Sequence, residues 1–300
     1  MRTLRLILHG KAALEPTLRP AVEALRESGY SVEVRVTWEA GQAELFAREA
    51  AELGTDVVVA GGGDGTVNEV LQGLLAAPPS PTALAVLPLG TANDFARSLN
   101  VPLGDTLVAL TLAAEGHIEP IDIGIVNDRP FINVASGGFG AEVTAQTPDI
   151  WKKIFGGAAY SVAGLIAAPQ LTPHPCRLVV DGRSYDFDLN LLAIGNGRLA
   201  GGGFAVAPQA KFDDGLLDLV IVPDVPLASV PQLLAELFSV SHSENEHILY
   251  RQLAAFELHF EDDFQLNLDG EPLVARQFNF SVLPRRLPVV QAPPPPPVVA

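Results

Sequence analysis

The sequence predicts an α/β first half followed by a mostly-β, sandwich-like second half, and three observations carry that reading. Over the first third, apolar strand-like runs alternate with amphipathic helical stretches, the pattern of a parallel sheet flanked by helices. After about Ile121 the rhythm changes to short period-two runs separated by Gly, Asp and Pro. Across 300 residues the chain is 48% apolar and 18% charged, which is enough to bury cores of that size against the cost of ordering the chain.

In order, the first half offers strands at Leu4–His9, Ser31–Val36, Asp56–Ala60 and Ala83–Leu87. Between them the apolar spacing predicts helices near Leu18–Ser28, stopped by Gly29, Gln42–Leu53, stopped by Gly54, and Val67–Ala77, stopped by Pro78 and Pro79. In the second half the alternation predicts strands around Arg177–Val180, Tyr185–Leu192 and Gln265–Leu268, with helical pattern near Trp151–Ala168 and Val230–Phe238. The organisation expected is an α/β domain over 1–121, a β-rich domain over 122–286 and a proline-rich tail over 287–300. A boundary there predicts a cleft suited to a small ligand.

The net charge is −16, spread over both halves without a basic stripe, so nucleic acid is not an expected partner. An anionic membrane repels such a surface on average, and any membrane contact must be local. The single cysteine, Cys176, excludes an intramolecular disulfide and a cysteine-cluster metal site. The six histidines show no metal-ligand spacing. The opening residues MRTLRLILHG are too short an apolar run for a secretory signal, and no segment offers the ~20 apolar residues of a span. The expectation is a cytoplasmic protein.

The most informative stretch runs from Val57 through Gly61–Gly62–Gly63–Asp64–Gly65–Thr66 to Glu69, a β-branched strand entering four glycines and then a helix. Glycines there let backbone N–H groups converge on an anion, and the helix N-terminus adds partial positive charge. No Lys-Ser/Thr follows, so it is not a Walker A loop, and Thr66 stands where a dinucleotide fingerprint needs glycine. The charge of bound phosphates must then be balanced by backbone dipoles and a divalent metal. A second loop, Pro88–Leu89–Gly90–Thr91–Ala92–Asn93–Asp94–Phe95, repeats the design after the next strand. By itself, Thr91 or Asn93 could equally be an ordinary helix cap.

Those two loops together resemble the diacylglycerol kinase catalytic domain, shared with sphingosine kinases and distantly with NAD kinases. The likeness to the bacterial YegS-like lipid kinases runs through Val34–Glu39, Phe131–Val134 with Gly137–Gly140, Gly195–Arg198 with Gly201–Gly203, Asp213–Leu217 and Leu268–Leu273. The resemblance implies a Rossmann-like first domain of the NAD-kinase and diacylglycerol-kinase type, with ATP as co-substrate. It implies nucleotide contacts from Thr37, from Gly63, Asp64, Gly65, Thr66, Val67, Asn68 and Glu69, and from Thr91. Asp64, Asp94 and Asp122 match acidic positions that order water around the metal in the wider family. His9–Gly10 departs from the Asn-Pro common at that place.

A kinase needs a metal to screen the triphosphate and a base for the attacking hydroxyl. Read as residues, Lys211–Leu216 and Asp269–Pro272 are each turn-like, because Asp-Gly favours hairpins. The resemblance implies more: a Mg²⁺ site from the Asp214 side chain and the carbonyls of Lys211 and Leu216, with Ca²⁺ or Mn²⁺ also compatible, and Glu271 as proton acceptor. Partial burial and the neighbouring Asp269 are expected to tune Glu271.

From Ile154 to Cys176 no residue carries a formal charge, but three prolines break the run and it cannot span. Lys152 and Lys153 precede it, an arrangement suited to interfacial contact or to a core helix. The activity expected is transfer of the γ-phosphate of ATP to a lipid hydroxyl of diacylglycerol or phosphatidylglycerol type at a membrane surface. A kinase of a soluble substrate related to NAD kinase, and a nucleotide-binding regulator without chemistry, are the alternatives.

Overall fold

In the computed structural model, residues 1–138, 173–224 and 247–292 are described, with positions 229, 232 and 236 between the last two. The chain divides into one unit of Met1–Ile121 with Arg285–Ala300, and a second of Asp122–Pro284.

The first unit builds β1 (Thr3–His9), α1 (Leu18–Glu27), β2 (Ser31–Thr37), α2 (Gln42–Glu52), β3 (Val57–Gly62), α3 (Asp64–Ala76), β4 (Ala83–Pro88), α4 (Asp94–Ser98) and α5 (Thr106–Glu115). The strands pair in parallel in the order β2-β1-β3-β4. Val57–Val58–Val59–Ala60 is fully buried, as a central parallel strand covered on both faces must be. Helix α1 buries Leu18, Ala21, Val22 and Leu25, the single face its spacing predicts. The strands and first two helices lie within two residues of the expected bounds. Helix α3 begins at Asp64 rather than Val67, because the turn enters the helix directly from Gly63. Helix α5, which the sequence reading passed over, is apolar on nearly every side and is announced only by Asp105, whose side chain accepts from Val108 N at 3.0 Å.

The second unit follows with β5 (His117–Val126, entering from the first unit), β6 (Arg129–Phe131), β7 (Val134–Gly137), β8 (His174–Val180), β9 (Arg183–Gly195), β10 (Leu199–Ala200), β11 (Phe204–Ala205), β12 (Leu217–Pro223), β13 (Leu249–Leu253), β14 (Ala255–Leu268) and β15 (Glu271–Gln291). Its main pairings are antiparallel, in the order β13-β12-β9-β7-β14-β15, and β8 bridges the other ends of β9 and β14. One face buries Phe131, Phe256, Phe260, Phe264, Phe278 and Phe280; the other buries Val134, Ala193, Val220 and Val222.

The expected tail over 287–300 needs correction. Strand β15 runs to Gln291, Val289 pairs with Leu84 of β4, and Leu287, Val289 and Val290 are buried in the first unit. Three apolar residues ahead of the prolines complete that sheet's edge, so the tail begins later than composition suggests. The helical patterns at Trp151–Ala168 and Val230–Phe238, the motif pair Phe139–Gly140, Lys152–Lys153 and most of the uncharged run before Cys176 lie outside the described residues or largely so. Among the described residues, no helix is long and apolar enough to cross a membrane.

Candidate active site

In an open parallel sheet, ligands gather at the carboxyl ends of the strands where the winding direction changes. Here the change falls between β1 and β3, and a cavity of about 900 Å³ opens there. Its lining comes from the segments after β1 (His9, Lys11), β3 (Gly62, Gly63, Gly65, Thr66, Glu69) and β4 (Leu89, Gly90, Asn93), with a wall from Pro102 to Thr106. Gly63 is the N-cap of α3 and, as glycine, brings no capping side chain. Thr66 N and Val67 N donate to the Gly63 carbonyl at 3.0 and 3.1 Å, while the Gly65 amide ahead of them has no acceptor within the helix.

The two glycine loops are in contact. A Cβ on Gly90 would come 2.4 Å from the Gly63 Cα, so this approach requires glycine at 90, while one on Gly63 would lie a tight 3.2 Å from the Gly90 Cα. Leu89 N donates to Gly62 O at 2.9 Å. Asn93, buried with φ +52°, accepts from Gly90 N at 3.0 Å and donates from Nδ2 to Gly90 O at 2.8 Å. Gly65 differs: a Cβ there would meet no atom within 4 Å, while the residue lines the cavity. The space beside it is open.

Of the nine nucleotide candidates, Gly63, Gly65, Thr66 and Glu69 line the cavity. The other five do not. Asp64 turns to the second loop, where its Oδ1 accepts from Phe95 N at 3.2 Å; burial, with the Asp94 charge beside it, raises its pKa. Val67 is core, because the helical period turns it inward with Val70 and Leu71. Asn68 is buried and accepts from Gln72 Nε2 at 2.6 Å. Thr37 is buried with its hydroxyl toward Leu8 O at 3.4 Å, and Thr91 is exposed. Glu69 reaches the cavity, but its Oε2 accepts from Gly41 N at 3.1 Å and Ala43 N at 3.3 Å, capping α2. Lys11, which sequence reasoning missed, also lines the cavity, from the segment after β1.

The second unit carries the acidic turns. Asp214 Oδ1 accepts from Leu216 N at 3.1 Å, and the fully buried Asp122 accepts from Gly215 N at 2.7 Å through Oδ2. Partial desolvation raises the Asp214 pKa, and the charges of Asp122 and Asp213 push the same way. This excess of negative charge, with oxygen donors in the Asp214 carboxylate and the chain's carbonyls, fits a small hard cation that uses one carboxylate and water. Lys211 and Asp214 also border a pocket of about 510 Å³ with Arg198 and Gln252. Asp218, two residues past Leu216, is wholly buried. It accepts from the Tyr250 hydroxyl and from Gln252 Nε2, its Oδ2 has no partner among the described residues, and burial lifts its pKa to about 6. One aspartate inside Leu216–Leu217–Asp218–Leu219–Val220 was a readable signal of a buried carboxylate.

Asp269 and Gly270, at φ +50° and +106°, form the two-residue loop joining Leu268 to its partner Glu271. Glu271 opens β15 and is exposed, so the expected partial burial is not found. The Asp269 carboxylate accepts from the backbone amides of Ile132, Asn133 and Val134.

Comparisons with known proteins show the family. Residues 3–126 match the diacylglycerol kinase catalytic domain, and residues 133–291 match the YegS C-terminal NAD kinase beta sandwich-like domain. A "Probable lipid kinase YegS-like" protein of Chromohalobacter salexigens is 45% identical over 284 residues, covering 94% of this chain and 91% of that protein. The chain belongs to the YegS-like lipid kinase family. A Klebsiella pneumoniae member carrying the same description is 44% identical, covering 94% of this chain and 93% of that one. A crystal structure of "a putative diacylglycerol kinase" from Bacillus anthracis str. Sterne superposes with a TM-score of 0.80 at 26% identity, covering 97% of this chain and 98% of that one. The α/β first part and β sandwich-like second part read from the sequence are those of a YegS-like kinase.

Proposed function

We propose that this YegS-like kinase transfers the γ-phosphate of ATP to the hydroxyl of a lipid of diacylglycerol or phosphatidylglycerol type, with Mg²⁺, at a membrane surface it meets peripherally from the cytoplasm. The observation that carries the reading is the glycine start of α3, with Gly65 exposed beside open space in a cavity walled by the second glycine loop.

Each residue then has a task. The α3 amides and Thr66 hold the phosphates, with the helix dipole behind them, and Lys11 adds a cation from the side. Asn93 fixes the backbone of Gly90 so that the second loop keeps its shape without a ligand. Glu271 accepts the proton of the lipid hydroxyl as its oxygen bonds to the γ-phosphorus and the bond to the β-phosphate oxygen breaks, releasing ADP. The Asp214 carboxylate and the Lys211 and Leu216 carbonyls would hold Mg²⁺, which supplies charge screening. Glu271 is open to solvent, so catalysis by it rests on the hydroxyl being brought to it rather than on a sealed pocket.

The test is Glu271→Gln with γ-labelled ATP and a lipid panel in mixed micelles. Turnover is expected to fall by about 10²- to 10⁴-fold while ATP affinity stays within twofold. Full turnover by the variant, or phosphorylation of a soluble dinucleotide in preference to every lipid, contradicts the reading.

A further inference from the structure

The loop that carries Glu271 is tied down by more than its two-residue hairpin. Asp269 sits in the left-handed region at φ +50°, a conformation a non-glycine residue adopts at a cost. Its carboxylate takes three backbone hydrogens from one segment: Ile132 N to Oδ2 at 2.7 Å, Asn133 N to Oδ1 at 2.9 Å and Val134 N to Oδ1 at 3.0 Å. Successive amides converging on one anion form a strong charge-assisted clamp. The backbone adds Asp269 N to Val134 O at 3.1 Å, and Asn267 Oδ1 accepts from Gly270 N at 2.7 Å. On the far side of Glu271, Arg129 Nη1 donates to Pro272 O at 3.0 Å. The residue assigned as base is thus bracketed, one position after by the Arg129 bond to the Pro272 carbonyl and two positions before by the carboxylate clamp, while Glu271 itself is exposed.

The anchor is itself rigid. Asn133 O accepts from Asn196 N at 3.0 Å and Gly197 N at 2.8 Å, and the fully buried Asn196 donates from Nδ2 to Ile132 O at 2.8 Å and Asp122 O at 3.0 Å. Asp122 in turn accepts from Gly215 N. The clamp on Asp269 therefore closes onto the same hydrogen-bonded framework that holds the Asp214 turn.

We propose that Asp269 and Arg129 are positioning residues for the Glu271 carboxylate, holding the first residues of β15 where the attacking hydroxyl is met. The inference rests on Glu271 being the base. It assigns to Asp269 a role in geometry, through three main-chain amides, rather than a charge effect on its neighbour.

The experiment compares Asp269→Asn, Arg129→Ala, Glu271→Gln and the double variant Asp269→Asn with Glu271→Gln, in the full chain with γ-labelled ATP and lipid micelles. Asn keeps the left-handed turn but offers one acceptor oxygen where the clamp uses two, without charge. The expected result is a fall in kcat of about ten- to a hundredfold for Asp269→Asn with KM for ATP within twofold, and a smaller fall for Arg129→Ala. The double variant is expected to be no slower than Glu271→Gln alone, because a positioning residue has nothing left to position. A folded Asp269→Asn with normal kcat, or a loss that multiplies in the Glu271→Gln background, overturns the inference while leaving the base assignment standing. Should Asp269→Asn fail to fold, full kcat in Arg129→Ala overturns it. A fast Glu271→Gln enzyme, by contrast, removes the base assignment itself and the inference with it.

Discussion

Asp218 holds a charge where the fold offers little to satisfy it: one oxygen has two donors, the other none among the described residues, and burial lifts its pKa to about 6. An acid whose folded-state pKa lies above its unfolded one binds its proton more tightly when folded, so its cost to stability is absent below about pH 4. The cost grows as pH rises toward 6 and is constant beyond. Asp218→Asn, measured by urea unfolding in EDTA, is therefore expected to gain on the order of 1–3 kcal/mol at pH 7 and nothing at pH 4. A gain equal at both pH values contradicts the assignment. Glu271 shows the limit of reading at this scale. The motif marks the residue, but its exposure and the clamp on Asp269 depend on segment 132–134, more than 130 residues earlier, which no local pattern reveals.

Among the elements, the parallel strands and their helices were legible because periodicity is local and strong in Leu4–His9, Val57–Ala60 and the Leu18–Leu25 stripe. What escaped was how elements cap one another. Glu69 belongs by motif to a nucleotide loop, yet its carboxylate closes the start of α2 through Gly41 and Ala43. Asp64 likewise serves the start of α4 through Phe95. Glu69→Ala is expected to cost about 1 kcal/mol in denaturant unfolding, the usual worth of a lost cap; unchanged stability contradicts that role. The end of β15 was misread for a related reason. Pro288 and the prolines after Gln291 dominate the composition, while Leu287, Val289 and Val290 have a partner in β4 that only the folded chain supplies.

At the scale of the whole molecule, the class of chemistry was written in two glycine loops and two Asp-Gly turns spread over the chain, and each half matches its family description. The lysine in the cavity lining was not, because Lys11 follows a different strand from the glycine loop. The central claim is that main-chain amides at the start of α3 grip a triphosphate, and Gly65→Ala tests it most directly. Alanine meets no atom within 4 Å there and favours a helix over glycine by about 0.5–1 kcal/mol, so the variant is expected to fold at least as well as the parent. Its methyl group would stand in the open space beside the cavity that Gly65 lines. Titration calorimetry with ATP and Mg²⁺ is expected to show affinity reduced tenfold or more, to about the level where 1.4 kcal/mol of binding is gone; a stable Gly65→Ala chain that binds ATP as tightly as the parent would contradict the account.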